Sequence, residues 1–130
     1  MADLRFEDKN NQKKSSCVFA SGEVATAADM DDVLFTLPEA SLVTAVYAVV
    51  TTVSGTTTDT VDVKVGSTVV ANEVVVGVAG IDSGTVTQTY FPTGGTVTVV
   101  AGGDAPDTAG RIKIVIEYIE TELSAGMYTD

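Results

Sequence analysis

The sequence predicts an all-β domain, an antiparallel sandwich of two sheets. Three observations predict it. Of 130 residues, 22 are Val and 19 are Thr, and Trp is absent. β-Branched side chains are stiff at χ1 and fit a pleated surface better than a helix. Short segments alternate apolar and polar residues, the period of a strand with one buried face. Between them stand turns rich in Gly, Ser, Thr and Asp, not the amphipathic helices of ten or more residues that a parallel α/β sheet requires. At 45% apolar residues the chain is globular and long enough to bury one core.

The elements follow in order. Residues 1–15 are polar and charged, with "KNNQKKSS" at the centre, and are read as an extended N-terminal arm. Residues 16–130 are read as a single β-sandwich domain. "SCVFAS" is its first strand. "GEVATAADMDD" fits either a helical turn or a short strand and loop. "DVLFTLP", Asp32–Pro38, stops at a proline, as an edge strand or a strand end does. Ser41–Ser54 is a long strand, apolar on both faces. In "TVDVKVG" Val61, Val63 and Val65 point inward, and Asp62 and Lys64 outward. "STVVANEVVVGV" is one strand or two, broken near Ala71–Asn72. "GTVTQTYF" and "GTVTVVAG" flank "PTGG" and read as a hairpin. "RIKIVIEYIE" is the last long strand. About eight strands with regular turn signals favour a sandwich or barrel. The absence of a Cys…Trp…Cys pattern favours a jelly-roll-like winding over an immunoglobulin one.

The chain offers little chemistry. It has no His, which removes the usual general base, imidazole metal ligands and any Ser-His-Asp triad. Its single Cys17 excludes an internal disulfide and a thiolate zinc cluster; within a strand it reads as a small packed residue. The glycine-rich stretches match neither a P-loop nor a dinucleotide fingerprint. Asp29, Asp31 and Asp32 lack the glycine and distal Glu of an EF-hand loop. Asp104 and Asp107 in "GGDAPDTAG" could ligate Ca²⁺, but turn formation explains them equally well. Tyr47, Tyr90, Phe91 and Tyr118 read as core or interface packing. The expectation is therefore no enzyme, no catalytic residue, no bound metal and no cofactor.

Charge narrows the partners. The formal net charge is −11, yet Arg5, Lys9, Lys13 and Lys14 supply four of the seven cations within the first fourteen residues. Those four are candidate partner-binding residues. The acidic remainder repels phosphate backbones and anionic lipid, so neither nucleic acid nor membrane is expected as a partner. No secretory signal pattern opens the sequence, and its longest apolar run, "LVTAVYAVV", is too short for a membrane helix. Synthesis in a cytoplasm is expected.

The order "VLFTLPEASLVTAVYAVVTT", then "DTVDVKVGSTVV", then "GTVTVVAGGDAPDTAGRIKIVIEYIE" resembles small structural proteins of tailed-phage virions with jelly-roll folds, of the capsid decoration (cement) type. The likeness covers roughly residues 30–120 and leaves the arm outside. It implies a non-enzymatic homotrimer on the outer capsid surface, stabilising contacts between major capsid protein subunits. Another virion accessory protein (tail fibre, baseplate or head-tail component) is the alternative, and a carbohydrate-binding or adhesion β-sandwich is a third reading. In the last strand, Ile112, Ile114, Ile116 and Tyr118 form one apolar face. Val115 and Ile119, on the other face between charges, are candidate subunit-interface residues.

Overall fold

In a computed structural model, residues 16–26, 30–106 and 110–121 are described, and they form eleven strands and no helix. Two antiparallel sheets make a β-sandwich. Sheet A holds β1 (Ser16–Ala20), β2 (Val24–Ala25), β4 (Ser41–Thr52), β7 (Gly80–Asp82), β9 (Thr89–Phe91) and β11 (Arg111–Glu120). Its main path is β1-β11-β4-β7; β2 pairs with β11, and β9 with β4. Sheet B holds β3 (Val33–Leu37), β5 (Thr60–Val65), β6 (Thr68–Val75), β8 (Thr85–Val86) and β10 (Gly95–Ala101), in the order β3-β10-β5-β6-β8.

The core lies between the sheets and is mostly Val and Ile. Ile112, Ile114 and Ile116 of β11 are fully buried and stand opposite Val50, Ala48 and Val46 of β4. Sheet B answers with Val61, Val63 and Val65 of β5 and Val97 and Val99 of β10. The inward and outward sets expected for "TVDVKV" hold residue by residue. Each such side chain contributes about 1.5–3 kcal/mol through burial, so the alternation also fixes strand register.

The last strand is as read: its Ile-Ile-Ile-Tyr face fills the core. Pro38 follows β3, which is an edge of sheet B. Within the "GEVA" segment, Val24–Ala25 form the short strand β2 beside β11.

Strand β6 is a single strand, Thr68–Val75, one of the two arrangements expected, and its pairing with β5 is irregular on both sides of Ala71; Glu73, two residues on, has a φ of 57°. One reading needs correction. The expected hairpin around "PTGG" does not form. "GTVTQTYF" divides into β8, in sheet B against β6, and β9, in sheet A against β4. After β9 the chain returns to sheet B as β10, between β3 and β5. The turn does close, with the Gly94 N–H donating to the Phe91 carbonyl at 3.1 Å, but it joins sheets rather than neighbouring strands. Both arrangements put one face of each strand on the core, so alternation cannot separate them.

Candidate protein-binding face

Sheet A has a second face, turned away from sheet B. Pairing register defines it row by row. Val115 stands between Tyr47 of β4 and Ala20 of β1. On one side of that row, Lys113 faces Val49, which in turn faces Ile81 of β7. On the other, Glu117 lies between Ala45 and Val18. Farther on, Ile119 faces Leu42, whose other neighbour is Tyr90 of β9. A bulge between Glu117 and Tyr118 leaves Thr44 as the extra residue, and its hydroxyl donates to the Glu117 carbonyl at 3.3 Å. The bulge keeps Ala45 and Leu42 on the same outer face despite their odd spacing.

This face is apolar and in large part accessible. Ile81 is 70% exposed, Val18 61% and Tyr90 44%. Val115 and Ile119, named from the sequence, both stand here and are half-buried. The sequence reading missed Val18 and Ile81. Val18 was legible, because it has the opposite parity to Cys17 and Phe19; Ile81 was not, because a three-residue strand shows no period. Tyr118 and Phe91 are core residues, while Tyr47 and Tyr90 belong to the outer face. Apolar patches of this extent mark interaction surfaces more often than scattered surface residues do.

The acidic residues have structural employment. The buried Asp59 accepts from the Ser54 hydroxyl (2.7 Å) and the Thr56 N–H (3.1 Å), closing the "SGTTTD" turn. Glu73 accepts from the Thr60 hydroxyl and the Gly103 N–H, both at 2.7 Å. Asp82 accepts from the N–H groups of Val75 and Gly84. Asp104 accepts from the Thr58 hydroxyl at 2.6 Å. These are loop staples, in which a carboxylate satisfies donors that no strand partner reaches. Asp29 and Asp107 lie outside the described residues, as do Arg5, Lys9, Lys13 and Lys14 of the arm. Among the described residues no group of three or more His, Cys, Asp or Glu is placed to hold a metal ion.

Cys17 packs against the core, and its thiol faces Glu120 at 3.8 Å. Burial first, and then the Glu120 carboxylate, push the thiol above its ordinary range, which makes it a poor nucleophile. A shallow hollow of about 230 Å³, lined by Val75, Val78, Ala79, Ile81 and Asp82, is smaller than ordinary ligand pockets. The outer face of sheet A is therefore the strongest candidate for function. No protein-family model matches the chain, and neither a curated protein nor a solved structure matches it.

Proposed function

We propose that this chain is a non-enzymatic structural protein of a tailed-phage virion, of the capsid decoration type, whose partner is the major capsid protein. The observation that carries the reading is the apolar outer face of sheet A, centred on Val115 and Tyr47. Such a surface suits a protein that works by being buried against other protein. The winding supports it too. The chain passes from β1 in sheet A to β3 in sheet B, back to β4, across to β5 and β6, and finally from β10 in sheet B to β11 in sheet A. That alternation is how a jelly roll is wound, an architecture common in viral capsid domains. Fold alone does not fix function, so the surface and the sequence likeness carry the remainder.

In this reading the protein adds buried interface at junctions between capsid subunits and stabilises the particle by mass action. The arm residues Arg5, Lys9, Lys13 and Lys14 contact an acidic capsid surface, and their charge makes binding salt-dependent. The test is cosedimentation of purified protein with expanded capsids. Saturable binding, weakened when the four cations are neutralised, is the expected result. Failure to bind capsids at any salt concentration contradicts the reading.

A further inference from the structure

β1 is an edge of sheet A, and its pairing shows which backbone groups it leaves open. The Ser21 N–H donates to the Ile114 carbonyl at 2.9 Å, and the Ile114 N–H donates to the Ser21 hydroxyl at 2.9 Å. Counting back from that pair, Phe19 and Cys17 bond to β11, so the N–H and C=O groups of Ser16, Val18 and Ala20 point away from it. β1 carries none of the usual edge guards. It has no charge, no proline and no register shift over its five residues. The edge strand of sheet B, β3, is bulged against β10 and stopped by Pro38. The core is open on the same flank. Cys17 and Phe19 of β1, Leu34 and Phe35 of β3, and Met30 before β3 are only partly buried at its margin.

Residues 1–15, outside the described residues, end where β1 begins. Their segment "DLRFE" alternates, with Leu4 and Phe6 on one face and Asp3, Arg5 and Glu7 on the other. The next eight residues, "DKNNQKKS", are polar, and Asn10 and Asn11 suit a turn. We propose that residues 3–7 add to the open edge of β1 as an outermost antiparallel strand, with Arg5 opposite Val18. Asp3, Arg5 and Glu7 then exchange backbone hydrogen bonds with Ala20, Val18 and Ser16. Leu4 lies beside Phe19, and Phe6 beside Cys17, covering the open margin of the core.

Charge sets the register. Val18 stands beside Glu117, whose carboxylate has no ion pair among the described residues. With Arg5 opposite Val18, cation and carboxylate share a row of the outer face. Their backbones are two strand spacings apart, about 10 Å, and the two long side chains meet over Val18. A slip of two residues either way puts Asp3 or Glu7 in that row and sets like charges near each other. A slip of one turns Leu4 and Phe6 out to solvent. Lys9, Lys13 and Lys14 stand together in the connecting loop, and Arg5 stays on the outer face of sheet A. The hairpin does not depend on capsid binding.

The test uses the full chain without capsids. Amide hydrogen exchange read by NMR should show the N–H groups of Val18 and Ala20 protected at least about tenfold over the free-chain rate. Leu4→Ser combined with Phe6→Ser should abolish that protection and leave Phe19, bonded to β11, unchanged. Cys17 gives a second reading, of register. Phe6 and Cys17 would form a non-hydrogen-bonded pair with Cα atoms about 4.5 Å apart, so Phe6→Cys should form an intramolecular disulfide with Cys17. Leu4→Cys and Asp8→Cys, each displaced by two residues to about 7–8 Å, should bridge at least about tenfold more slowly. Bridging rates that change steadily along positions 4, 6 and 8 are those of a free arm and overturn the proposal. So does free exchange at Val18 and Ala20, or a disulfide that joins two chains. Protection that survives the Leu4 and Phe6 substitutions overturns it too, and assigns the edge to residues 122–130 or to another copy. Capsid cosedimentation of the same proteins separates the two readings. A protected edge in a chain that ignores capsids removes the virion reading and leaves this one, while an unprotected edge in a chain that binds capsids does the reverse.

Discussion

Phe19 of β1 and Phe35 of β3 stack face to face, with ring centroids 3.9 Å apart and planes 8° from parallel. One ring belongs to sheet A and the other to sheet B, so the pair ties the sheets together near one side of the sandwich. Tyr118 of β11 leans on Phe35 at 6.1 Å and extends the contact into the core. Aromatic pairs contribute about 0.5–1.5 kcal/mol beyond their area.

Phe35→Ala removes both ring contacts at once. It should lower unfolding free energy by about 3 kcal/mol, the low end for such truncations, because the ring is only half-buried. Urea titration reads the loss. A double-mutant cycle with Phe19→Ala should show a coupling of about 1 kcal/mol; simple additivity would mean that the stack contributes nothing of its own.

Glu73 separates strain from bonding. Its φ of 57° disfavours any residue with a Cβ, while its carboxylate holds Thr60 and Gly103. Glu73→Ala loses the hydrogen bonds and keeps the strain, for a cost of about 2 kcal/mol. Glu73→Gly loses the same bonds and relieves the strain, so it should be the more stable of the two by about 1 kcal/mol. Equal stability in denaturant titrations would show that the backbone there is unstrained.

Gly94 is a position where only glycine fits. Its φ is 73°, and an added Cβ would lie 2.2 Å from the Leu37 carbonyl oxygen. Gly94→Ala should destabilise by more than about 2 kcal/mol, since it combines a left-handed backbone with a backbone clash. A thermal melt unchanged within error would contradict the close approach of this turn to the end of β3.

Cys17 and Tyr118 give the fold an alkaline limit. Both are raised above their ordinary values of 9.0 and 10.0, chiefly by burial, with Glu120 adding to each and the Cys17 thiol adding to Tyr118. A raised value means that the folded chain favours the protonated, neutral form. The stabilisation is complete below pH 9 and is lost as the pH climbs through the raised values. Alkylation of Cys17 at pH 8 should be slower than that of a free thiol, and Glu120→Gln should speed it. An alkylation rate indifferent to Glu120 would remove that carboxylate from the account.

The sequence made the strong parts of this fold legible and left others hidden, for physical reasons. Strands with one face in the core announce themselves by alternation, as "TVDVKV" and "RIKIVIEYIE" do. Which sheet a strand joins depends on long-range pairing, and β9 and β10 carry no local mark of their separation. The outer face was half legible. Val115 and Ile119 stand out between charges, but the face exists only because β1, β4, β7 and β9 bring Val18, Tyr47, Ile81 and Tyr90 alongside. The work of Asp82 and Glu73 as loop staples depends on partners supplied by the folded backbone, which no local pattern in the sequence announces.

The central proposal is that sheet A's outer face is buried against capsid protein, and cosedimentation of the unaltered chain and of Ile81→Lys with expanded capsids tests it most directly. Ile81 is 70% exposed on that face, so a charge there should leave the fold intact and weaken saturable binding about tenfold or more. Saturable binding that Ile81→Lys leaves unchanged contradicts the proposal.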